Sequence, residues 1–376
     1  MDNPPKKLAF LVTELGYFCS HRLNLAMAAK KAGYHVSVIA NCAQRSSLSR
    51  YESDLAQLDL HHIPFHRSRL NPFAEIGTLR QIWRVYRRIR PDIVHQVAFK
   101  PLVYGTVCAR LLKVGKIVNA LGGMGYLFTH QSLTSRVLKP LLSLSFRALL
   151  NGHQCALILQ NQDDAALMAS FVVRDKIHLI KGAGIDLEVF HPTDEPPLPV
   201  KAVMASRLLW SKGIGELVEA AQILKRQAVP LEIQVAGEPD PQNPASVPPD
   251  LFQKWKEEGM ITWLGSCTDM AAVYGQTHIA VLPSYYREGI PKALLEAAAC
   301  GKPIVTTDAP GCRDVVTSGE NGFLIPPKDP AALADALKKL ALSSDLREKM
   351  GQMSRKKAEE EFGDKKIIEQ TMALYK

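Results

Sequence analysis

Short β-branched runs alternate with helical patterns along this chain, the alternation breaks once, and then it starts again. The first series reads "KLAFLVT", a helix through "RLNLAMAAKKAG" closed by Gly33, "HVSVIAN", "HHIPF", and a long helix "FAEIGTLRQIWRVYRRIR" ending before Pro91. "PDIVHQV", "GKIVNAL", "CALILQ" and "KIHLIKG" continue it. Such β-α-β-α alternation implies a parallel sheet covered by helices on both faces. Between residues 186 and 200 the proline-rich, acidic "DLEVFHPTDEPPLPVK" interrupts the pattern as a domain boundary does. Six more strand patterns follow: "VKAVMAS", "LEIQVAG", "ITWLG", "HIAVLPS", "KPIVTT" and "GFLIPP". The expectation is an α/β chain with two doubly wound domains in tandem, residues 1–192 and 193–360. A terminal helical segment, 361–376, is expected to pack back on the first domain. A length of 376 residues suits two cores better than one.

Composition narrows the function classes. Hydrophobic residues make up 47% and charged residues 22%, the balance of a globular chain. Seven cysteines are scattered, with no Cys-x-x-Cys, which argues against a disulfide framework or a zinc site and for a reducing compartment. No apolar run reaches the ~18 residues of a membrane span, and "MDNPPKK" leads directly into a strand pattern rather than a signal peptide. A cytoplasmic protein, soluble or peripheral at the inner face of a membrane, is expected. Its charge is uneven. Residues 1–192 carry 24 Lys+Arg against 12 Asp+Glu, and the rest 22 against 25, hence +12 and −3 within the total of +9. Only the first half therefore suits an anionic partner.

The second half concentrates the candidate chemistry. In "HIAVLPSYYREGIPKALLEAAACGKPIV" a buried parallel strand ends near Ser284, where open α/β sheets bind ligands. Pro291 fits the first turn of the next helix and Gly301 its C-terminal stop, so Glu288 stands in the loop and Glu296 inside the helix. Alone, such a glutamate pair reads more simply as a solvated residue and a local ion pair. It is not alone. "MASRLLWSKG" places Arg207 and Lys212 in the first strand-to-helix turn of this half, a fork and a point charge for a diphosphate. Gly237 and Gly265 end strands at the same edge and leave room for a nucleotide.

Together, "RLLWSKG", "VAGEPD", "WLGSCTDM", "VLPSYYREGIPKALLEAAACGKPIVTTDAPGCRDVV" and "NGFLIPP" resemble the donor half of retaining glycosyltransferases of family 4. The resemblance covers roughly residues 200–345 strongly and reaches the first half more weakly through "GAGIDLEVFHP" and "PDIVHQVAFKP". It implies the GT-B fold, two Rossmann-like domains facing a central cleft. It also implies that Arg207 and Lys212 neutralise the departing diphosphate, that Glu288 meets the donor sugar, and that the Gly289, Ile290 and Pro291 turn borders it. Glu296 would accept the ribose hydroxyls, and Gly16 in "TELGYF" would let the backbone approach the diphosphate. The co-substrate would be a nucleotide-sugar, most simply a UDP-sugar. No cofactor is implied. No metal is implied either, since the chain has no Asp-x-Asp.

The first half departs from the family pattern. The region 119–129, with Gly122, Gly123 and Gly125, holds no histidine; His130 lies just beyond. Neither this region nor "TELGYF" is a dinucleotide fingerprint. His95 is a candidate on the acceptor side, as are Lys100, Gly122 and Gly123, but His95 serves equally as a core histidine. In the long helix Leu79, Ile82, Trp83, Tyr86 and Ile89 share one face and Arg80, Arg84, Arg87 and Arg88 the other. "SRVLKPLLSLSFRALL" adds Arg136, Lys139 and Arg147. These are solvated basic faces or contacts to an anionic membrane carrying a lipid-linked glycan acceptor. No aromatic platform accompanies the arginines, so nucleic acid is not expected. The rival functions are a nucleotide-sugar epimerase on a similar fold and a silent nucleotide- or nucleic-acid-binding protein.

Overall fold

The computed structural model describes residues 4–43, 45–65, 72–124, 144–240 and 243–376. The chain divides into two compact units, Met1–Ala183 with Lys365–Lys376, and Gly184–Asp364.

The first unit holds a seven-stranded sheet of β1 (Lys7–Glu14), β2 (His35–Asn41), β3 (Asp59–His62), β4 (Ile93–Val97), β5 (Lys116–Leu121), β6 (Cys155–Leu159) and β7 (Ile177–Leu179). Every pairing is parallel, in the order β3-β2-β1-β4-β5-β6-β7. The order reverses between β1 and β4. The alternation of β1 shows why both faces need cover: Leu8, Phe10 and Val12 enter one apolar cluster, Ala9 and Leu11 another. The second cluster receives Ile82 and Tyr86 of the helix Pro72–Ile89, with Leu79, Trp83 and Ile89 packed beside them. Arg80, Arg84, Arg87 and Arg88 of that helix are exposed. The 3.6-residue spacing of its apolar side chains thus sets the basic face outward.

Two local readings shift. β3 covers Asp59–His62 rather than residues 61–65, because Pro64 has no N–H to extend an edge ladder and only Ile63 donates onward, to Ala40 O at 2.9 Å. The first crossover is two helices, Leu15–His21 and Leu23–Lys31, parted at Arg22 by φ −134°. Of the second basic stretch, Arg136 and Lys139 lie outside the described residues, whereas Arg147 donates to Ser170 O at 3.2 Å.

The second unit holds β8 (Val200–Ala205), β9 (Leu231–Ala236), β10 (Thr262–Gly265), β11 (Ile279–Leu282), β12 (Ile304–Thr307) and β13 (Gly322–Ile325). Again all pairings are parallel, in the order β10-β9-β8-β11-β12-β13, with the reversal between β8 and β11. This unit begins at Gly184, before the proline-rich stretch, because Ile185 is buried in its core. The Ile185 N–H donates to Phe362 O at 3.0 Å, and its carbonyl accepts from the Asp364 N–H at 2.9 Å. The final helix, Asp364–Ala373, belongs from Lys365 on to the first unit, where Ile367 and Tyr375 join the core.

Candidate active site

In the second unit the loops after β8 and β11 leave the carboxyl edge of the sheet on either side of the reversal, where doubly wound sheets open a crevice. Lys212 comes from the first loop and Glu288 from the second. Lys212 Nζ donates to Glu288 Oε2 at 2.5 Å, and Ser284 Oγ donates to Glu288 Oε1 at 2.6 Å. The side chains of Lys212 and Glu288 are only 16% and 12% exposed, so each ion is largely removed from water and held by the other. Ser284 is itself fixed: it is buried, and Thr307 Oγ1 donates to its carbonyl.

Two glycines explain how backbone comes this close. Gly213, at φ +83°, precedes the helix Ile214–Arg226, and a Cβ there would lie 2.1 Å from Pro283 O. Gly311, at φ +85°, lies against the Glu288 turn so tightly that a Cβ would sit 1.6 Å from Gly289 O and 2.8 Å from Glu288 O. Only glycine takes both the left-handed conformation and the contact. Beneath the turn, Cys312 is buried, and desolvation first, then the Glu288 charge, pushes its thiol up to about 12. It is a packing residue, not a nucleophile.

Pro291, at ψ 122°, is the N-cap of the helix Lys292–Ala299, one position before the first turn expected for it. Ile290 is buried at the same turn. Glu296 is 7% exposed and meets Lys292 Nζ at 3.3 Å. Burial, with the Glu296 charge second, raises the nearby Tyr274 phenol well above its ordinary range, and that phenol donates to Ala293 O at 2.8 Å. Arg207, 54% exposed, reaches Asp240 Oδ2 at 2.7 Å. Gly237 and Gly265 meet at neighbouring strand ends: Gly237 N–H donates to Gly265 O at 2.8 Å, and a Cβ on Gly237 would lie 1.9 Å from Ser206 O. The structure thus brings Lys212, from the loop after β8, against Glu288 in the turn that also holds Gly289 and Ile290, and sets Glu296 in the helix that follows. Sequence reasoning missed Ser284, Gly213 and Gly311. The signal for Ser284 was its place at the end of the β11 strand pattern, already read as a ligand-binding edge, and for the glycines their positions in the loops after strands.

The first-unit candidates fall into different settings. His95 is 1% exposed, stacks on Phe10 at 5.1 Å and shares a 2.7 Å hydrogen bond between Nδ1 and the Tyr375 hydroxyl. Burial, then the Arg22 charge, lowers its basicity well below the usual histidine range. It is a core histidine, the second of its two sequence readings. Lys100 Nζ pairs with Glu75 Oε1 at 2.6 Å, while the Tyr104 hydroxyl donates to Glu75 Oε2 at 2.7 Å, so Lys100 ties two helices together. Gly122 and Gly123 follow β5 at the carboxyl edge; Gly125 and His130 lie outside the described residues. Gly16 is exposed, and among the described residues a Cβ there would meet Leu48 Cδ2 alone, at 3.9 Å.

Comparison with known proteins agrees with this architecture. The glycosyl transferases group 1 family matches residues 189–357 and the glycosyl transferase 4-like family residues 7–161. The chain is 28% identical, over 79% of its length and 81% of the relative's, to the N,N'-diacetylbacillosaminyl-diphospho-undecaprenol alpha-1,3-N-acetylgalactosaminyltransferase of Campylobacter jejuni. It is 24% identical, over 87% and 86%, to the capsular polysaccharide biosynthesis glycosyltransferase CapM of Staphylococcus aureus. Anabaena HepE in complex with UDP and glucose superposes with a TM-score of 0.76 at 15% identity, covering 98% of each chain, and that likeness shows the fold, GT-B. The chain belongs to the group 1 glycosyltransferases, with a glycosyltransferase 4-like first half.

Proposed function

We propose that the protein moves a hexose or N-acetylhexosamine, with retention, from a UDP-sugar to a lipid-linked polyprenyl-diphosphate sugar in surface glycan synthesis. The observation that carries the donor side is the Lys212–Glu288–Ser284 constellation at the β8/β11 reversal. Before the donor binds, the ammonium is neutralised by Glu288. As the sugar–phosphate bond breaks, negative charge grows on the diphosphate, and Lys212 and Arg207 are fixed cations of opposite sign beside it. Glu288 orients the donor sugar and steadies positive charge at the anomeric carbon. Glu296 accepts the ribose hydroxyls, and the Gly237–Gly265 strand ends border the nucleotide. These groups supply the charge that a metal would otherwise bring, so no metal or other cofactor enters the reading.

The acceptor side rests on the first unit and on relatives whose names include a lipid-diphosphate sugar and a capsular polysaccharide. The exposed arginine face of Pro72–Ile89 suits the anionic inner leaflet, where each basic side chain contributes ~1 kcal/mol. No helix among the described residues is long and apolar enough to cross a membrane. Incubation with a panel of nucleotide sugars and a bacterial membrane lipid extract, read by nucleotide released, tests the proposal and names the donor. Release that requires both a nucleotide sugar and the extract is expected. Conversion of the donor without any acceptor would instead indicate an epimerase.

A further inference from the structure

In the second unit the chain after β9 braces the loop after β8, which carries both Arg207 and Lys212. The Ser206 N–H donates to Ala236 O at 3.0 Å, the Leu208 N–H to Glu238 O at 3.0 Å and the Trp210 N–H to Ala245 O at 2.9 Å. Leu208 O accepts in turn from the Val247 N–H at 3.0 Å, and Leu209 and Ser246 form an antiparallel bridge. Gly237, at φ +140°, permits this approach, since a Cβ there would collide with Ser206 O. The backbone on both sides of Arg207 is therefore fixed from the neighbouring strand and loop.

The Arg207 side chain is held from the same direction. Its Nη1 donates to Asp240 Oδ2 at 2.7 Å. Asp240 is itself anchored through its backbone: its N–H donates to Ser246 Oγ at 3.0 Å, and its carbonyl accepts from the Asn243 N–H at 2.8 Å. With side chains 54% and 23% exposed, the ion pair contributes little to folding. It does, however, order a long side chain that water would otherwise leave free. It also uses a single donor of the five on the guanidinium. The Nε–Nη2 edge, a fork that takes a phosphate through two parallel N–H bonds, meets no hydrogen-bond partner among the described residues.

We propose that Asp240 is a positioning residue for the donor: it aims the Arg207 fork at the diphosphate of the nucleotide and stays paired with it in the complex. This rests on the reading of Arg207 as a cation of the donor site and adds the residue that orders it. Without Asp240, the nucleotide itself would have to immobilise the arginine, and that ordering cost would be subtracted from its binding. Because Asp240 engages Nη1 and is anchored by its own backbone, the arginine need not leave it to reach a phosphate. A carboxylate that the diphosphate had to displace would act with the opposite sign.

The test is a double-mutant cycle read by calorimetric titration of UDP onto the full-length chain. Asp240→Ala should weaken UDP binding about 3- to 20-fold, the range of one hydrogen bond to a charged group, and leave the thermal melt in place. Asp240→Asn, which keeps an acceptor oxygen for Nη1, should bind UDP within about twofold of the wild type. In the Arg207→Ala background, Asp240→Ala should change UDP affinity less than about twofold, because the side chain it orders is gone. A carboxylate that merely holds the loop would weaken binding equally with and without Arg207, and that result overturns the proposal. So does a loss below threefold or tighter binding in Asp240→Ala, or an Asp240→Asn no better than Asp240→Ala. In each of these cases the donor reading of Arg207 stands. A wild type that binds no UDP, or an Arg207→Ala that binds it equally well, removes that reading and this proposal together.

Discussion

Replacing Lys212 by alanine separates the two roles the ammonium is given. In the structure it neutralises Glu288 across 2.5 Å in a setting only 12–16% exposed. Breaking a fully buried pair costs about 3–5 kcal/mol; because some water reaches this one and Ser284 still donates to the carboxylate, about 1–3 kcal/mol of unfolding free energy should be lost. In the reaction the same charge meets the departing diphosphate. Removal of a group that acts mainly there lowers the rate by roughly 10²–10³, or about 2.7–4 kcal/mol of barrier. Stopped-time assays across donor concentration should therefore show kcat falling by that factor, with donor KM changed far less. The double variant Lys212→Met with Glu288→Gln separates the effects further. Neutralising both partners should restore much of the denaturant midpoint but not the rate, because the neutral pair no longer needs solvation whereas the diphosphate still lacks its cation. A normal kcat with a raised KM would place Lys212 outside the transition state. Recovery of rate together with stability would mean that the pair only holds the loop.

Gly311→Ala should destabilise the second unit by about 3 kcal/mol, from left-handed strain plus overlap with the Glu288 turn; a thermal melt and the nucleotide-release assay should fall together, and an unaffected melt would refute the close approach at Gly289 O. His95 should make the wild type lose stability as pH falls below about 6.5. Its folded basicity is depressed by burial, so below that pH the unfolded chain binds the extra proton, with a limiting slope of about 1.4 kcal/mol per pH unit. His95→Gln should flatten the slope of urea midpoints against pH, and an unchanged slope would show that other groups set it. Transfer should survive EDTA; loss on chelation with recovery in magnesium or manganese would contradict the assignment of charge to Lys212 and Arg207. The full-length chain should cosediment with anionic liposomes at low salt and release as salt rises, less tightly after Arg80, Arg84, Arg87 and Arg88 are neutralised; salt-independent behaviour would leave these arginines as a solvated face. NMR of the product linkage should show retention, and an α-linked donor giving a β-linked product would overturn the same-face displacement.

The double series of strands was readable because parallel strands buried on both faces leave continuous apolar runs, and the basic helix because its 3.6-residue spacing fixes which side meets the sheet. Glu288, Arg207 and Lys212 stood out through their places after strands and Glu296 through the helix that follows, and their roles through the resemblance of the ordered motifs around them. What depended on distant partners was not readable. Tyr375 matters because the final helix carries it 280 positions back to His95. Gly184 opens the second unit before the proline-rich stretch, because Ile185 is held by hydrogen bonds to residues near 363 that no local pattern announces.

The central claim, that the β8/β11 reversal is the nucleotide-sugar site, is tested most directly by calorimetric titration of nucleoside diphosphates onto the wild type and Glu296→Ala. One site per chain with preference for UDP is expected in the wild type. Glu296→Ala should bind about 10- to 100-fold more weakly, the cost of a charged hydrogen bond to the ribose. No binding by the wild type, or equal affinity in the two proteins, would contradict the assignment.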